Sequence, residues 1–464
     1  MTDRPTGLPM VSPPDPEKLA ADKRWLTELE SAGVWTRTFA YMRRGGPGYL
    51  QAALTLGGGS AAFSLFAGAA FGYQLLWVAP VSMLFGVIML AAVAHQTLST
   101  GMRPFEAMRT YAGPVFAWGW AIGAVLSSLI WHFAQYALAS AVLEDIGTYL
   151  GLGLSRGVAG IGVLGFALVF VFMYGASSVW MKAFETLLKT MVWLIVACFG
   201  LVVAKTGVAN VGDLFRGLFT FQIPGEVNGV HASTLVISGL AAAVGVNMLF
   251  LYPYSLLAKG WGREHRRLAK FDLLAGMFVP YLFATGLMII ATANGFYYGD
   301  LEFTGDKLAA VEAARSLEGV IGPGLSRVVF NLGILGMAWS SITLQMLCCG
   351  FAATELLGWQ IGSAKYRLAC LLPAPGVLGA FFWGDIAFWI AVPTTILCGC
   401  LLPLAYFGFC RLQRSREYLG DDVPRGSKAT AWLGAMVLIT LFLSVVFGWI
   451  VITQGPGYLD KLAG

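Results

Sequence analysis

Helix-breaking residues in the middle of two long apolar segments are the part of this sequence best suited to bind a small solute. The first segment carries three consecutive glycines at 57–59, followed by Ser60. A glycine inside a helix costs roughly 1 kcal/mol against alanine, so three in succession predict a break. The second segment carries Gly245 and Asn247 near its centre and Pro253 one to two turns later. A broken helix presents backbone carbonyls and amides that can coordinate a solute.

The polar groups at these two predicted breaks define a candidate binding site. Its predicted substrate-binding residues are Gly57, Gly58, Gly59, Ser60, Val244, Asn247 and Met248. Ser60 and Asn247 are the candidate metal ligands. Divalent cations prefer charged oxygen or, for transition metals, sulfur and imidazole. Because neither break carries a carboxylate, the set suits a weakly held hydrated or monovalent cation, or an uncharged or zwitterionic organic solute.

His132 is the one histidine deep inside an apolar segment, and Gln135 lies three residues further on. An ionisable group at that depth is a candidate for moving a proton or an ion, and the i,i+3 spacing places Gln135 on the same helix face. The alternative is a neutral histidine that is hydrogen-bonded to a neighbouring helix. The sequence therefore leaves open whether transport of the solute is coupled to a proton.

The composition requires a lipid environment for nearly the whole chain. Of the 464 residues, 57% are hydrophobic and only 12% are charged, whereas about a quarter are charged in soluble domains. Apolar runs of about twenty residues, the length that crosses a bilayer as a helix, recur along the chain. Eleven spans are predicted, at about 49–70, 75–98, 115–143, 157–175, 183–204, 233–258, 273–293, 325–352, 366–382, 386–410 and 430–453.

Backbone groups cannot stay unpaired in hydrocarbon, so these runs predict an all-α integral membrane protein. A polar tail at 1–45 precedes a transmembrane domain at 46–454, with spans 1–5 in about 49–204, spans 6–10 in about 233–410 and span 11 in about 430–453. A short tail at 455–464 follows. The polar, proline-rich start predicts no signal peptide.

The distribution of Lys and Arg predicts the orientation. With the N-terminus inside, 22 of the 30 basic residues fall on the cytoplasmic side, seven outside and one within a span. Cytoplasmic loops retain positive charge, so the count favours a multi-pass protein of the cell (inner) membrane with a cytoplasmic N-terminus and an extracytoplasmic C-terminus.

Several function classes are disfavoured by the sequence. No GxxxxGK[ST] motif is present, and no catalytic residues occur at hydrolase spacing, so an enzyme is not expected. The seven cysteines form no CxxC pair and suit packing rather than a zinc site. No cofactor, nucleic acid or obligate protein partner is indicated. The expected partners are the lipid bilayer and a small solute or cation.

The two predicted breaks fall in the first helix of each of two five-span blocks. This placement is typical of an inverted-repeat carrier with its substrate site near the bilayer midplane. The alternative is glycine that merely allows close helix packing.

The residues flanking the breaks resemble the Nramp family of divalent metal transporters. The resemblance lies in Gly46-Pro47-Gly-Tyr-Leu, Gly72-Tyr73-Gln-Leu-Leu-Trp77-Val, Thr100-Gly101, Met181-Lys-Ala-Phe-Glu185-Thr-Leu-Leu-Lys and Gly336-Met-Ala-Trp-Ser340-Ser341-Ile-Thr343. It implies eleven helices in a LeuT-type 5+5 inverted repeat with broken first and sixth helices. It also implies a secondary transporter that works by alternating access.

The resemblance implies residue roles that this chain meets with different residue types. The DPGN motif of the first span falls on Gly57, Gly58, Gly59 and Ser60, and the MPH motif of the sixth on Asn247, Met248 and Leu249. The third-span acidic pair linked to proton movement falls on His132 and Gln135, and the tenth-span glutamine near Thr395. Ser340, Ser341 and Thr343 resemble the sodium-binding hydroxyls of some LeuT-fold carriers, or they bond to carbonyls of their own helix.

The expected function is therefore transport of a divalent metal cation in spite of the replaced aspartate and methionine, with proton coupling in doubt. One alternative is a LeuT-fold carrier of an amino acid or amine. Another is a sensor that does not transport.

Overall fold

The fold consists almost entirely of helices. A computed structural model describes residues 7–11, 13–174, 177–308, 310–315, 322–383 and 386–453. Within this part of the chain, the one sheet is a hairpin of β1 (Glu226–Val227) and β2 (Val230–His231). The tail predicted at 455–464 lies outside the described residues.

The α-helices run in chain order. They are α1 (Pro16–Glu30), α2 (Val34–Arg44), α3 (Pro47–Thr55), α4 (Gly58–Phe71), α5 (Val78–Thr100), α6 (Pro104–Ala107), α7 (Pro114–Tyr149), α8 (Arg156–Met173), α9 (Ser178–Thr206), α10 (Val211–Phe219), α11 (Ala232–Ala243), α12 (Val246–Ala258), α13 (Arg266–Leu273), α14 (Val279–Gly295), α15 (Ala310–Arg315), α16 (Pro323–Leu357), α17 (Ala364–Cys370), α18 (Gly379–Phe382), α19 (Ala391–Gly399), α20 (Leu402–Leu412), α21 (Arg416–Leu419) and α22 (Ser427–Thr453).

Shorter helical turns complete the secondary structure. π-helical turns lie at Met108–Ala112 and Leu274–Phe278, and 3₁₀ turns at Arg263–His265, Gly305–Lys307, Ala374–Leu378 and Gly420–Asp422.

Both predicted breaks are present. The axes of α3 and α4 differ by 53°, and the break between them comprises Leu56 and Gly57. The break between α11 and α12 comprises Val244 and Gly245. Gly58, Gly59 and Ser60 thus form the first turn of α4 rather than the break itself. The four half-helices are buried in the centre of the molecule.

The predicted count of eleven spans is not confirmed. Among the described residues, nine helices are long and apolar enough to cross a membrane, or ten if the bent α3–α4 pair is one span. The ninth predicted span, 366–382, is divided into α17, the 3₁₀ turn at Ala374–Leu378 and α18. Pro373 and Pro375 interrupt it because a proline lacks the backbone N–H that a helix interior needs.

Segments that the charge count assigns to one side of the membrane do lie together. Gly7 N–H donates to the Gly101 carbonyl over 3.2 Å, Val11 N–H donates to the Ile361 carbonyl over 3.0 Å, and Arg263 pairs with Asp422. We call this side the N-terminal face. Its grouping of loops agrees with the predicted alternation, and its cytoplasmic location stays a prediction.

Candidate functional site

The two breaks meet at a threonine and a methionine. The Thr55 hydroxyl, at the end of α3, lies 3.2 Å from both the Ala243 carbonyl oxygen and the Met248 sulfur. The Gly245 N–H also donates to this sulfur over 3.2 Å. Met248 lies in the first turn of α12, and its thioether points back into the space between the breaks. The sulfur therefore lies inside the predicted site.

Polar side chains satisfy the backbone of the first break. The Ser60 hydroxyl donates to the Thr55 carbonyl over 2.7 Å and lies 3.0 Å from the Gly57 carbonyl. The Gly58 N–H, at the start of α4, donates to Oε1 of Gln135 over 2.8 Å. Free N–H groups at a helix start need an acceptor, and Gln135 supplies one from α7. This contact joins a predicted substrate-binding residue, Gly58, to a predicted coupling residue, Gln135.

The hydroxyls of α16 contact the same break from the other side. Ser340 donates to the Ala53 carbonyl and Ser341 to the Leu54 carbonyl, both over 2.8 Å. Thr343 instead lies within hydrogen-bond distance of carbonyls of its own helix, 2.8 Å from that of Ser340. Ser340 and Ser341 therefore hold the end of α3, whereas Thr343 follows the local alternative.

Close approach of neighbouring side chains explains two of the three glycines. A methyl group added at Gly57 would overlap the Ser341 hydroxyl and lie 3.0 Å from Nε2 of Gln135. A methyl group added at Gly59 would lie 2.5 Å from Oγ1 of Thr395. Thr395 also accepts a hydrogen bond from the Trp131 indole N–H over 3.0 Å. Packing, as well as backbone freedom, thus requires glycine here.

A small cavity of about 10 Å³ lies between the breaks. This volume is close to the minimum that holds one water molecule. Its lining residues are Leu54, Thr55, Gly57, Gly59, Ser60, Trp131, Gln135, Ala242, Met248, Ser341 and Gln345. The site can surround a single small ion or water with hydroxyl, amide and thioether groups.

His132 is adjacent to the cavity but does not line it. Its Nδ1 lies 2.8 Å from Oε1 of Gln345, which is a lining residue. Its Nε2 is buried and has no hydrogen-bond partner among the described residues. The contact with Gln345 matches the neutral alternative, in which a neighbouring helix holds the ring.

Val244 and Asn247 do not line the cavity. The Val244 side chain packs against Gly86 of α5. Nδ2 of Asn247 lies 3.4 Å from the Ser128 hydroxyl on α7, and its Oδ1 has no partner within the part of the chain that the structure describes. The structure thus brings the glycines, Ser60, Gln135, Ser341, Thr395 and Met248 together, and it separates Asn247 from them. The roles of all these residues in binding stay predictions.

Five lining residues were not predicted from the sequence, and three of them, Thr55, Trp131 and Gln345, carry polar side-chain groups. Thr55 is the last residue of α3, and Gln345 lies one turn beyond Ser341 on α16. Both positions follow from features that the sequence shows, namely the break and the hydroxyl pair. Trp131 precedes His132 and carries no comparable signal.

Among the residues that the structure describes, no group of three or more His, Cys, Asp or Glu side chains is placed to hold a metal ion.

Comparison with known proteins decides the family. The model of the "natural resistance-associated macrophage protein-like" (Nramp) family matches residues 48–449. The chain belongs to this family. Nramp proteins are membrane transporters, which confirms that the chain is not an enzyme.

Two relatives that are named as metal transporters align with most of this chain. A divalent metal cation transporter MntH of Agrobacterium fabrum is 26% identical over 430 residues, covering 88% of this chain and 87% of the relative. The metal transporter Nramp5 of Oryza sativa is 24% identical over 477 residues, covering 97% and 83%.

Solved structures confirm the LeuT-type fold. A manganese transporter of Eremococcus coleocola aligns with a TM-score of 0.67 at 14% identity, covering 93% of this chain and 92% of that one. MhsT in complex with L-phenylalanine aligns with a TM-score of 0.57 at 12% identity, covering 87% and 97%. Identities this low establish the fold alone.

Proposed function

We propose that the chain is a secondary transporter that moves a divalent metal cation by alternating access, with the ion bound between the two breaks. Membership of the Nramp family and the names of its relatives support the class of substrate. We further propose that the N-terminal face is cytoplasmic and that the membrane is the cell membrane.

The size of the cavity carries this proposal. About 10 Å³ accommodates one ion or water, whereas the pockets that enclose organic ligands hold roughly 300 Å³ or more. Trp131, Gln135 and Met248 are among the side chains that line this small space. The small volume favours an ion over an amino acid or amine.

The chemistry of the lining favours a soft cation. A thioether is a ligand that Mg²⁺ and Ca²⁺ do not use, and transition metals accept it. The Met248 sulfur and the Thr55 hydroxyl are 3.2 Å apart, so one ion can contact both. The carbonyl ends of α3 and α11 point toward the breaks, where the helix dipoles place negative potential. We expect weak binding because every lining side chain is neutral.

We propose that uptake is not coupled to a proton at the third-span positions. Gln135 is engaged in capping α4, and Nδ1 of His132 is engaged with Gln345. In this arrangement Gln135 holds the start of α4, and His132 holds the side chain of Gln345. A gradient of pH should therefore change the rate of metal uptake by less than twofold in vesicles that hold no membrane potential.

The test is uptake of Mn²⁺, Cd²⁺ and Mg²⁺ into proteoliposomes by Met248→Leu and a matched variant, Met436→Leu. Met436 is a buried methionine of α22, away from the cavity. Loss of the sulfur should weaken Mn²⁺ and Cd²⁺ uptake by about tenfold and leave Mg²⁺ uptake unchanged. Equal behaviour of the two variants would contradict a metal site at Met248. If calorimetry detects binding of an amino acid to the detergent-solubilised protein and no metal uptake is saturable, the organic-solute alternative is favoured.

A further inference from the structure

Helix α2 presents an apolar stripe to its surroundings. Trp35, Phe39 and Met42 are 77%, 62% and 49% exposed. Their i, i+4 and i+7 spacing places them on one face of the helix. Its sequence, VWTRTFAYMRR, has three arginines and no acidic residue. A helix with an apolar stripe and basic flanks is typical of a membrane interface.

The opposite face of α2 is attached to the transporter. Tyr41 is buried, and its ring centroid lies 5.5 Å from that of Phe271 on α13. This packing fixes the rotation of α2 about its axis, so the apolar stripe faces away from the protein. The exposure of Trp35 and its neighbours is therefore a feature of the folded chain.

The C-terminal end of α2 lies beside the start of α9. Arg43 lines a cavity of about 760 Å³ together with Met181 and Lys182 of α9. The fifth predicted span, within α9, begins at about 183, directly after Lys182. The C-terminal end of the stripe, at Met42, therefore lies near the start of this predicted span.

Three of the cations at this cavity form no ion pair among the described residues: Arg43, Lys182 and Lys189. Lys189 is engaged by the Gly45 carbonyl. Arg44 pairs with Asp22, and Lys259 pairs with Glu185 over 2.8 Å. The side chains of Arg43 and Lys182 form no ion pair with any described residue. Both therefore remain available to a phosphate.

We propose that α2 is an interfacial helix that binds an anionic phospholipid, with the phosphate between Arg43 and Lys182 and the acyl chains along Trp35, Phe39 and Met42. The apolar stripe and the unpaired cations complement the two parts of such a lipid. A soluble phosphate would use the cations but leave the stripe uncovered.

This site adjoins the half-helix that forms one side of the substrate site. Only Gly45 and Gly46 separate α2 from α3. Lys189 donates to the Gly45 carbonyl, and the Gly46 and Gly48 N–H groups donate to Asp272 over 3.1 and 2.6 Å. A lipid bound to α2 therefore steadies the base of α3.

The experiment measures phosphatidylglycerol bound to the purified full-length protein by native mass spectrometry, with phosphatidylcholine as the neutral comparison. The variants are Arg43→Ala/Lys182→Ala and the matched pair Arg414→Ala/Lys428→Ala, which removes two exposed cations elsewhere in the chain. Each cation near an anionic headgroup contributes about fivefold in affinity. The first pair should bind phosphatidylglycerol about 30-fold more weakly, and the matched pair should behave as the wild type.

A second variant, Trp35→Ser/Phe39→Ser, separates lipid from free phosphate. It should reduce retention of phosphatidylglycerol and leave the binding of inorganic pyrophosphate unchanged. Equal phosphatidylglycerol binding by the two cation pairs would overturn the proposal, as would pyrophosphate binding at Arg43 and Lys182 without preference for the lipid. Because no metal is present, these outcomes are independent of the proposed transport function.

Discussion

The contact between Gly59 and Thr395 offers a direct test of how the candidate site is packed. We expect Gly59→Ala to destabilise the protein, because the added methyl would lie 2.5 Å from Oγ1 and 3.3 Å from Cγ2 of Thr395. Overpacking of this kind costs about 1–3 kcal/mol. Gly434→Ala is the matched control, since nothing lies within 4 Å of its added methyl. The control carries the ordinary helix gain of about 1 kcal/mol.

A second substitution should relieve the overlap. In Thr395→Ala the remaining Cβ would lie 3.4 Å from the new methyl, which is ordinary contact. Alone, Thr395→Ala removes the acceptor of the Trp131 N–H and should cost about 1–3 kcal/mol. The double variant should therefore be more stable than the sum of the two single effects by about 1–3 kcal/mol.

The assay is unfolding of the detergent-solubilised protein, compared across the wild type, Gly59→Ala, Thr395→Ala, the double variant and Gly434→Ala. Uptake into proteoliposomes, measured on the same preparations, reports whether the site still works. The reasoning is refuted if Gly59→Ala is as stable as Gly434→Ala. It is also refuted if the two single effects simply add.

Two further predictions concern charged groups away from the site. Asp145 lies near the end of α7 and accepts hydrogen bonds from Asn331 over 2.6 Å and from Arg327. Asp145→Asn should therefore cost about 3 kcal/mol of stability. Glu144 pairs with Arg156 at a half-buried position, so Glu144→Gln should cost less, about 1 kcal/mol, in the same unfolding assay. Burial raises the pKa of Asp422, but hydrogen bonds from Arg263 and Arg266 outweigh it and the pKa is lowered. The stabilisation by ionised Asp422 is fully present above the unfolded-state pKa of about 3.9 and is lost as the pH falls through the lowered pKa of the folded protein. The melting temperatures of Asp422→Asn and the wild type should therefore converge below about pH 4. A difference in melting temperature that stays constant down to about pH 3 would contradict this prediction.

Local features of the chain determined the helical class and the position of both breaks. Length and hydropathy identify spans because the bilayer has a fixed thickness and leaves no backbone group unpaired. The three glycines and Gly245 marked the breaks to within a few residues. Pro373 and Pro375 are helix breakers of the same kind. The apolar residues on both sides of them nevertheless led to the prediction of a continuous ninth span.

The membership of the candidate site depended on tertiary structure. Sequence spacing gives the face of a helix but not the neighbour that this face meets. Only the packing of α7 against α4 and α12 placed Gln135 on Gly58 and turned Asn247 toward Ser128. The same packing brought the Met248 sulfur between the breaks.

The sequence by itself determined a membrane-embedded helical protein with two broken spans, and it predicted a candidate site without charged side chains between them. The tertiary structure decided which polar groups face the cavity, how small that cavity is, and which hydroxyls saturate the carbonyls of α3. The physical reason is that apolar burial and helix breaking depend on each residue and its close neighbours. Hydrogen bonds and close contacts join residues that are far apart in the chain, as Ser341 and Leu54 are.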